Sequence, residues 1–195
     1  MESSIKTIEL FRVGPDVVES TIDVVSIEEP LEIQVMSGMG REVRSVSVTM
    51  RTPGHDRELA VGFLFTEGFI RQSADLMVVN FIAENVICVE LASSIEISKE
   101  SLSRNFYATS SCGVCGKASI GAIRIGSQEI SDDFVINAGQ LQNLLLALQE
   151  SQQNFNRTGG LHASALFDGA GNLKLVREDV GRHNALDKLI GARFL

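Results

Sequence analysis

The stretch that decides the fold is RTPGHDRELAVGFLFTEG, residues 51–68. Its second part, residues 57–67, is apolar almost all round, and this predicts a helix buried inside the protein rather than one lying on its surface. The first part is a loop in which either Thr52 or Asp56 could cap the helix. Gly68 is placed to end the helix. A buried helix needs other elements around it, so the flanking sequence must supply them.

Strand patterns lie on both sides of this helix. Alternating or β-branched runs predict strands at residues 21–27, 31–35, 43–50, 78–83 and 86–91. A turn separates the second strand from the third and predicts that these two pair in antiparallel fashion. The last two form a hairpin around Glu84 and Asn85. Cys88 lies in the final strand and is interpreted as a small core residue.

The C-terminal part begins with a helix at Asn137, where Gln140 completes a capping-box pattern. Four leucines follow at helical spacing and are interpreted as core: Leu141, Leu144, Leu145 and Leu148. Two strands, at residues 161–167 and 173–177, and a final helix at about residues 183–190 complete the pattern.

Composition excludes several classes of function. The chain has 195 residues, of which 44% are hydrophobic and 22% charged, as in an ordinary soluble globular protein. Its net charge of −8 argues against binding to a nucleic-acid backbone. It contains no apolar run long enough to cross a membrane, and its first residues lack the pattern of a secretory signal. We therefore expect a cytoplasmic protein that binds neither nucleic acid nor membrane.

Two thiols stand three positions apart in a Gly-rich run, YATSSCGVCGK, at residues 107–117. Cys112 and Cys115 are close enough to share a disulfide, a metal or a transferred sulfur atom. C-x-x-C spacing lowers the pKa of a thiol, and Lys117 favours the reactive thiolate in the same way. These features predict chemistry at this pair of thiols. The alternative is that both cysteines are simply small residues of a loop.

A second polar cluster lies between the last strand and the last helix. Its members are Arg177, Glu178, Asp179, Arg182, His183 and Asn184. Loops that lead into helix N-termini bind ligands in α/β proteins, and arginine is the usual bidentate partner of phosphate. A solvated turn with internal salt bridges explains the same composition. His162 could face this cluster or be a satisfied strand histidine.

Four blocks of this sequence resemble the formate dehydrogenase accessory sulfurtransferase family, FdhD. They are residues 28–31, residues 51–54 with 58–68, residues 110–116, and residues 159–163 with 178–188. The blocks come in the family's order and span nearly the whole chain. The resemblance implies an α/β protein (α+β overall) with a small β-rich N-terminal domain and a three-layer domain similar to cytidine deaminases. We place these domains at residues 1–106 and 118–195, joined by a mobile C-x-x-C loop at residues 107–117.

The resemblance also implies an activity. Such a protein takes persulfide sulfur from a cysteine desulfurase and delivers it to the bis-molybdopterin guanine dinucleotide form of the molybdenum cofactor, which then enters apo-formate dehydrogenase. The cofactor is thus a bound substrate, and no permanent metal is expected. Cys112 matches the persulfide-bearing cysteine and Cys115 the second thiol. The residues assigned to cofactor binding are Gly160, His162, Arg177, Asp179, Arg182 and His183. A homodimer is also expected.

Family members continue for several dozen residues beyond Gly191, so the C-terminal domain is expected to be incomplete in this chain. Three other interpretations compete. A zinc module would need two further ligands from His162, His183 or Cys88. A dithiol oxidoreductase would place the cysteine pair after a strand in a thioredoxin-like unit, which the pattern does not show. A zinc deaminase would need a glutamate two residues after His162, where Ser164 stands.

Overall fold

A computed structural model describes residues 4–15, 17–95, 97 and 134–195. The elements described in these ranges are β1 (Ile5–Val13), β2 (Val18–Ser26), β3 (Glu29–Ser37), β4 (Glu42–Arg51), α1 (Asp56–Thr66), a 3₁₀ turn (Ser73–Asp75), β5 (Leu76–Ala83), β6 (Val86–Leu91), α2 (Ala138–Ser151), α3 (Gln153–Thr158), β7 (His162–Phe167), β8 (Leu173–Asp179) and α4 (Arg182–Phe194). This mixture of helices and strands confirms the α/β class. The cysteine pair at 112 and 115 lies outside the described residues.

A four-stranded sheet in the order β4-β3-β6-β5 forms the centre of the N-terminal part. The β3–β4 and β5–β6 pairs are antiparallel, as the sequence predicts. The central pair, β3 with β6, is parallel. Alternate residues of β3 are buried, namely Leu31, Ile33 and Val35. The sheet therefore turns one apolar side of its central strand towards α1.

Helix α1 is buried as predicted. Leu59, Ala60, Val61 and Leu64 join the sheet residues in one hydrophobic cluster. The prediction of its N-terminal cap is wrong, because the cap position is His55, with φ 60° and no side-chain cap hydrogen bond. Both expected caps have other partners. The Asp56 carboxylate pairs with Arg51, and the Thr52 hydroxyl accepts a hydrogen bond from the Val180 N–H.

Helix α4 crosses α1 at very close range. A Cβ atom added to Gly62 would lie 1.8 Å from the carbonyl oxygen of Asp187, and one added to Gly191 would lie 1.8 Å from that of Glu58. Contacts that short are impossible, so the two helix backbones can touch only because both residues are glycines. The last helix is thus packed onto the N-terminal helix.

The first two strands form a hairpin of their own, β1 with β2. The sequence indicates β2 but gives only weak patterning for β1. The base of the hairpin is anchored by a hydrogen bond of 2.9 Å from the Ser26 hydroxyl to the Thr158 hydroxyl at the end of α3. Farther from the base, Phe11 and Ile22 are exposed.

The C-terminal part contains the β7–β8 hairpin with α2 packed against it. The capping box is confirmed: Asn137 Oδ1 accepts from the Gln140 N–H at 2.8 Å, and Gln140 Oε1 accepts from the Asn137 N–H at 3.1 Å. The leucine stripe is not the core it was predicted to be, since Leu141 is 52% and Leu145 61% exposed. The two strands described beside it make a sheet too narrow to cover the apolar face of this 14-residue helix.

The predicted division at residues 107–117 stays a prediction, and the α1–α4 contact joins elements from either side of it. The deaminase-like architecture of residues 118–195 likewise stays a prediction, since the strands described there are β7 and β8. In the part of the chain that the structure describes, no helix is both long and apolar enough to cross a membrane.

Candidate functional site at the β8–α4 junction

One end of the β7–β8 hairpin collects most of the residues predicted to bind a cofactor. His162 begins β7 and stands opposite Asp179, the last residue of β8. Arg182 and His183 follow directly in the first turn of α4. Gly160 lies two residues before β7. The structure therefore brings together five of the six predicted residues, whereas Arg177 lies farther along β8.

Asp179 is the centre of this junction. Its carboxylate is fully buried. It accepts hydrogen bonds from the Thr52 N–H at 3.1 Å, the Gly181 N–H at 2.8 Å and Asn184 Nδ2 at 3.0 Å, and it pairs with Lys188 Nζ at 2.6 Å. A buried carboxylate needs donors of this number and kind to replace its lost hydration. With its oxygens so engaged, Asp179 has a structural role, and direct contact with the cofactor stays a prediction.

Lys188 is the buried cation that neutralises Asp179. It is 1% exposed, and its Nζ also lies 2.8 Å from the Thr52 carbonyl oxygen and 3.5 Å from that of Glu178. An ammonium group has three protons, and these three acceptors use them all. The pair is therefore fully hydrogen-bonded, which a buried ion pair requires.

The same junction is fastened to the end of β4. The Thr52 hydroxyl accepts from the Val180 N–H at 3.1 Å. Asn184 Nδ2 donates to the Met50 carbonyl at 2.8 Å. The turn between β8 and α4 is thus held by side chains and backbone of residues 50–52.

Arg177, which is predicted to contact the cofactor, has protein partners in this structure, and its cofactor role stays a prediction. Its guanidinium forms a bidentate pair with the Glu58 carboxylate, and its third nitrogen donates to the Val176 carbonyl. Partial burial opposes ionisation of Glu58, but hydrogen bonds from Arg177 and His55 outweigh it and lower the pKa of Glu58 to about 2. Arg177 therefore joins β8 to α1, and its charge is compensated before any phosphate could bind.

The remaining predicted residues are accessible. Gly160, His162, Arg182 and His183 are all exposed. They lie near the N-terminus of α4, where the helix dipole favours an anion. These four residues stay predictions as cofactor contacts.

A cleft of about 770 Å³ lies at the N-terminal end of α1. Its walls are the N-terminal turn of α1 and the β5–β6 hairpin, with Phe81 and Leu195 among the lining residues. Buried Arg51 ties these walls together, donating to Asp56 and, at 2.7 Å, to Asn85 Oδ1. Glu58 lines the cleft too, so the cleft adjoins the Glu58–Arg177 pair.

Neither a metal site nor a reactive thiol is found among the described residues. No group of three or more His, Cys, Asp or Glu side chains there is arranged to hold a metal ion. Cys88 is buried, as predicted, and burial, followed by the charge of Glu90, raises the pKa of its thiol. A raised pKa makes a thiol unreactive.

The sequence model of the FdhD/NarQ family matches residues 26–195. The chain belongs to the FdhD/NarQ family. This match confirms the resemblance drawn from the four sequence blocks and includes residues 110–116, which hold the cysteine pair.

Curated members of the FdhD/NarQ family are similar to the chain over most of its length. It is 47% identical over 176 residues to a sulfur carrier protein FdhD from Mycolicibacterium paratuberculosis, covering 85% of this chain and 62% of that protein. A sulfur carrier protein FdhD from Streptomyces coelicolor is 42% identical over 195 residues, covering 94% and 67%. One from Sulfurisphaera tokodaii is 36% identical, covering 98% and 71%. The chain thus spans roughly two thirds of the length of these relatives.

A solved structure has the same fold. It is that of a protein from Desulfotalea psychrophila described as a formate dehydrogenase accessory protein, with a TM-score of 0.72 and 21% identity. The likeness covers 99% of this chain and 70% of that one.

Three residues that build the junction were given no such role from the sequence: Thr52 was considered only as a helix cap, Asn184 was named in the polar cluster without buried partners, and Lys188 was not singled out. A signal for two of them was present. Asn184 and Lys188 are four residues apart in α4, and each is followed directly by an apolar residue, Ala185 and Leu189. Polar residues at that spacing share one helix face, so they required buried partners.

Proposed function

We propose that this protein is a sulfur carrier that holds transferable sulfur as a persulfide on Cys112. The observation that carries the proposal is the cysteine pair at 112 and 115 in a Gly-rich run, within the region that matches the family. Relatives similar over most of the chain are named sulfur carrier proteins. A thiolate is the form that attacks a donor persulfide, and C-x-x-C spacing favours the thiolate.

The donor in this proposal is a cysteine desulfurase. The Cys112 thiolate attacks the terminal sulfur of the donor's persulfide, and the donor cysteine leaves as its thiolate. For release, the Cys115 thiolate attacks the Cys112 sulfur, so that a disulfide forms and hydrosulfide leaves. In each step one S–S bond forms as another breaks, so no outside oxidant is needed, and in the second step the terminal sulfur leaves as hydrosulfide.

The acceptor is the bis-molybdopterin guanine dinucleotide cofactor, which then enters apo-formate dehydrogenase. Its phosphates need a local positive site, because the protein as a whole carries a net charge of −8. Exposed Arg182 and His183 at the N-terminus of α4 supply one, with His162 and Gly160 beside them. We further propose that the protein acts in the cytoplasm as a homodimer.

Intact-mass analysis after incubation with a cysteine desulfurase and cysteine tests the proposal. We expect wild type to gain one sulfur atom that a thiol reductant removes. Cys112→Ala should gain none, whereas Cys115→Ala should gain it but release sulfide more slowly. Cys88→Ala is the matched control, since its buried thiol should not affect loading. Sulfur gain that persists in Cys112→Ala would refute the assignment.

A further inference from the structure

The β8–α4 turn is attached to the N-terminal sheet as well as to its own hairpin. Among the described contacts, four join residues 179–188 to residues 50–52. In two of these hydrogen bonds a backbone N–H donates to a side chain, and in the other two a side chain donates to a backbone carbonyl. The turn's position is therefore set by the end of β4.

We propose that Lys188, acting through Asp179 and Thr52, is a positioning residue for the ligand contacts of this turn. The inference rests on the proposed function, because Arg182 and His183 are assigned there to the cofactor. Lys188 and Asp179 touch no ligand themselves. Their role is to hold the first turn of α4 in one geometry, so that the exposed side chains of Arg182 and His183 are presented in the same place before and after a ligand binds.

The chemistry of Lys188 suits this role. The acceptors of its three protons belong to two segments: the carboxylate of Asp179 and the carbonyl of Glu178 at the end of β8, and the carbonyl of Thr52 after β4. Because Lys188 itself lies in α4, these contacts fix α4, the end of β8 and the end of β4 relative to one another. At 1% exposure it does so without competition from water.

Thr52 completes the arrangement from the other side. Its N–H donates to Asp179, its hydroxyl accepts from Val180 and its carbonyl accepts from Lys188. Val180 precedes Arg182 by two residues. Removing the hydroxyl alone would therefore loosen the turn while leaving the buried ion pair and both backbone contacts of Thr52 in place.

The first test compares two isosteric threonine variants, with GDP as the probe of the guanine nucleotide. Thr52→Val loses the hydrogen bond to the turn. Thr66→Val is the matched control, because the Thr66 hydroxyl donates to Asp187 in α4 at 3.0 Å, away from the turn. Below both unfolding transitions, we expect the Kd of GDP to rise about fivefold in Thr52→Val, as for one net hydrogen bond. In Thr66→Val it should stay within about twofold. Equal affinities in the two variants would overturn the proposal.

A paired variant separates positioning from stability. Asp179→Asn combined with Lys188→Met removes both buried charges, and such replacements often preserve stability. If the pair positions the turn, the double variant keeps its melting temperature but binds GDP about tenfold more weakly. If the double variant has both the melting temperature and the GDP affinity of wild type, the pair only stabilises the fold and the inference fails.

Histidine NMR provides a measurement that does not need cofactor binding. The chain has three histidines, His55, His162 and His183. We expect Thr52→Val to shift the imidazole signals of His183 and leave those of His55 unchanged. If wild type fails to bind GDP, the cofactor assignment falls, while a His183 shift still supports positioning. Unchanged His183 signals in both Thr52→Val and the paired variant would refute positioning itself.

Discussion

The two helices of the C-terminal part that flank the β7–β8 hairpin are packed in opposite ways. Helix α4 buries six of its residues and contacts α1 backbone to backbone. Helix α2 has no fully buried residue although its sequence carries the clearer apolar stripe. An amphipathic pattern thus indicates which face of a helix is apolar, whereas small residues and buried polar partners determine where the helix packs.

Removing the buried Arg51 side chain, which holds the start of α1, should cause the largest loss of stability. Arg51 is fully buried and forms a bidentate pair with Asp56. Arg51→Met would leave that carboxylate buried and unpaired, so we expect a loss of about 3–5 kcal/mol in the free energy of unfolding. Urea denaturation measures it, with exposed Arg57→Met as the control, which should stay within about 0.5 kcal/mol. Similar losses in both would show that Arg51 is not what fixes α1.

Crowding the helix crossing should come next. Gly62→Ala places a methyl group where the Asp187 backbone lies, and we expect a loss of about 3 kcal/mol. Gly139→Ala in exposed α2 meets nothing closer than Asn137 Oδ1 at 3.4 Å. That control should be neutral or gain up to about 1 kcal/mol from helix propensity. Thermal unfolding followed by circular dichroism compares them, and a stable Gly62→Ala protein would contradict the close crossing.

Leucine-to-alanine variants in α4 and α2 compare directly how deeply the apolar faces of the two helices are buried. Leu189→Ala removes a buried side chain from α4, and we expect a loss of about 2–3 kcal/mol. Leu145→Ala removes one that is 61% exposed, with an expected change within about 0.5 kcal/mol. Chemical denaturation of both proteins checks this. Equal losses would mean that Leu145 is buried by something beyond the described residues.

The smallest effect concerns pH. Burial, reinforced by Glu67 and opposed by the Thr66 hydrogen bond, raises the pKa of Asp187 to about 7 from an ordinary value of 3.8. The unfolded chain loses this proton near pH 4 and the folded one near pH 7, so the contribution of Asp187 becomes less favourable as pH rises between them and is constant above. Asp187→Asn removes this dependence.

We expect the stability of Asp187→Asn relative to wild type to increase by on the order of 1 kcal/mol from pH 4 to pH 7, since the carboxyl can relax towards solvent. Urea titrations at several pH values measure it. As a control, Asp168→Asn alters a carboxylate whose pKa is lowered by Lys174 and Asn172, so its relative stability should not rise over that range. A flat difference for Asp187→Asn would contradict the buried acid.

Local features were predictable from the sequence because local residues determine them. The alternation in residues 31–35 and 43–50 gave an antiparallel pair, and the Asn137 capping box needs only a residue three positions away. The cap of α1 was missed because Asp56 and Thr52 are drawn to Arg51 and Val180, contacts that no local pattern reveals. For the same reason, the α1–α4 crossing depends on a contact between Gly62 and Asp187, far apart in the chain.

In the candidate site, too, some features were predictable from local sequence and others were not. The position of His162, Asp179, Arg182 and His183 at one end of a hairpin follows from a strand-turn-helix pattern. The pairing of Arg177 with Glu58 could not be foreseen, because an arginine that binds phosphate and one that pairs with a distant glutamate look alike in sequence. The roles of Cys112 and Cys115 rest on sequence and remain predictions.

The α1–α4 crossing also has a consequence for the order of events during synthesis. Residues 56–66 leave the ribosome long before residues 182–194, so part of the surface of α1 has no partner while the intervening chain is made. Contacts of such sequence separation form late and slow folding. Exposed apolar surface in the meantime favours aggregation. The nascent chain is therefore expected to depend on a chaperone until α4 emerges.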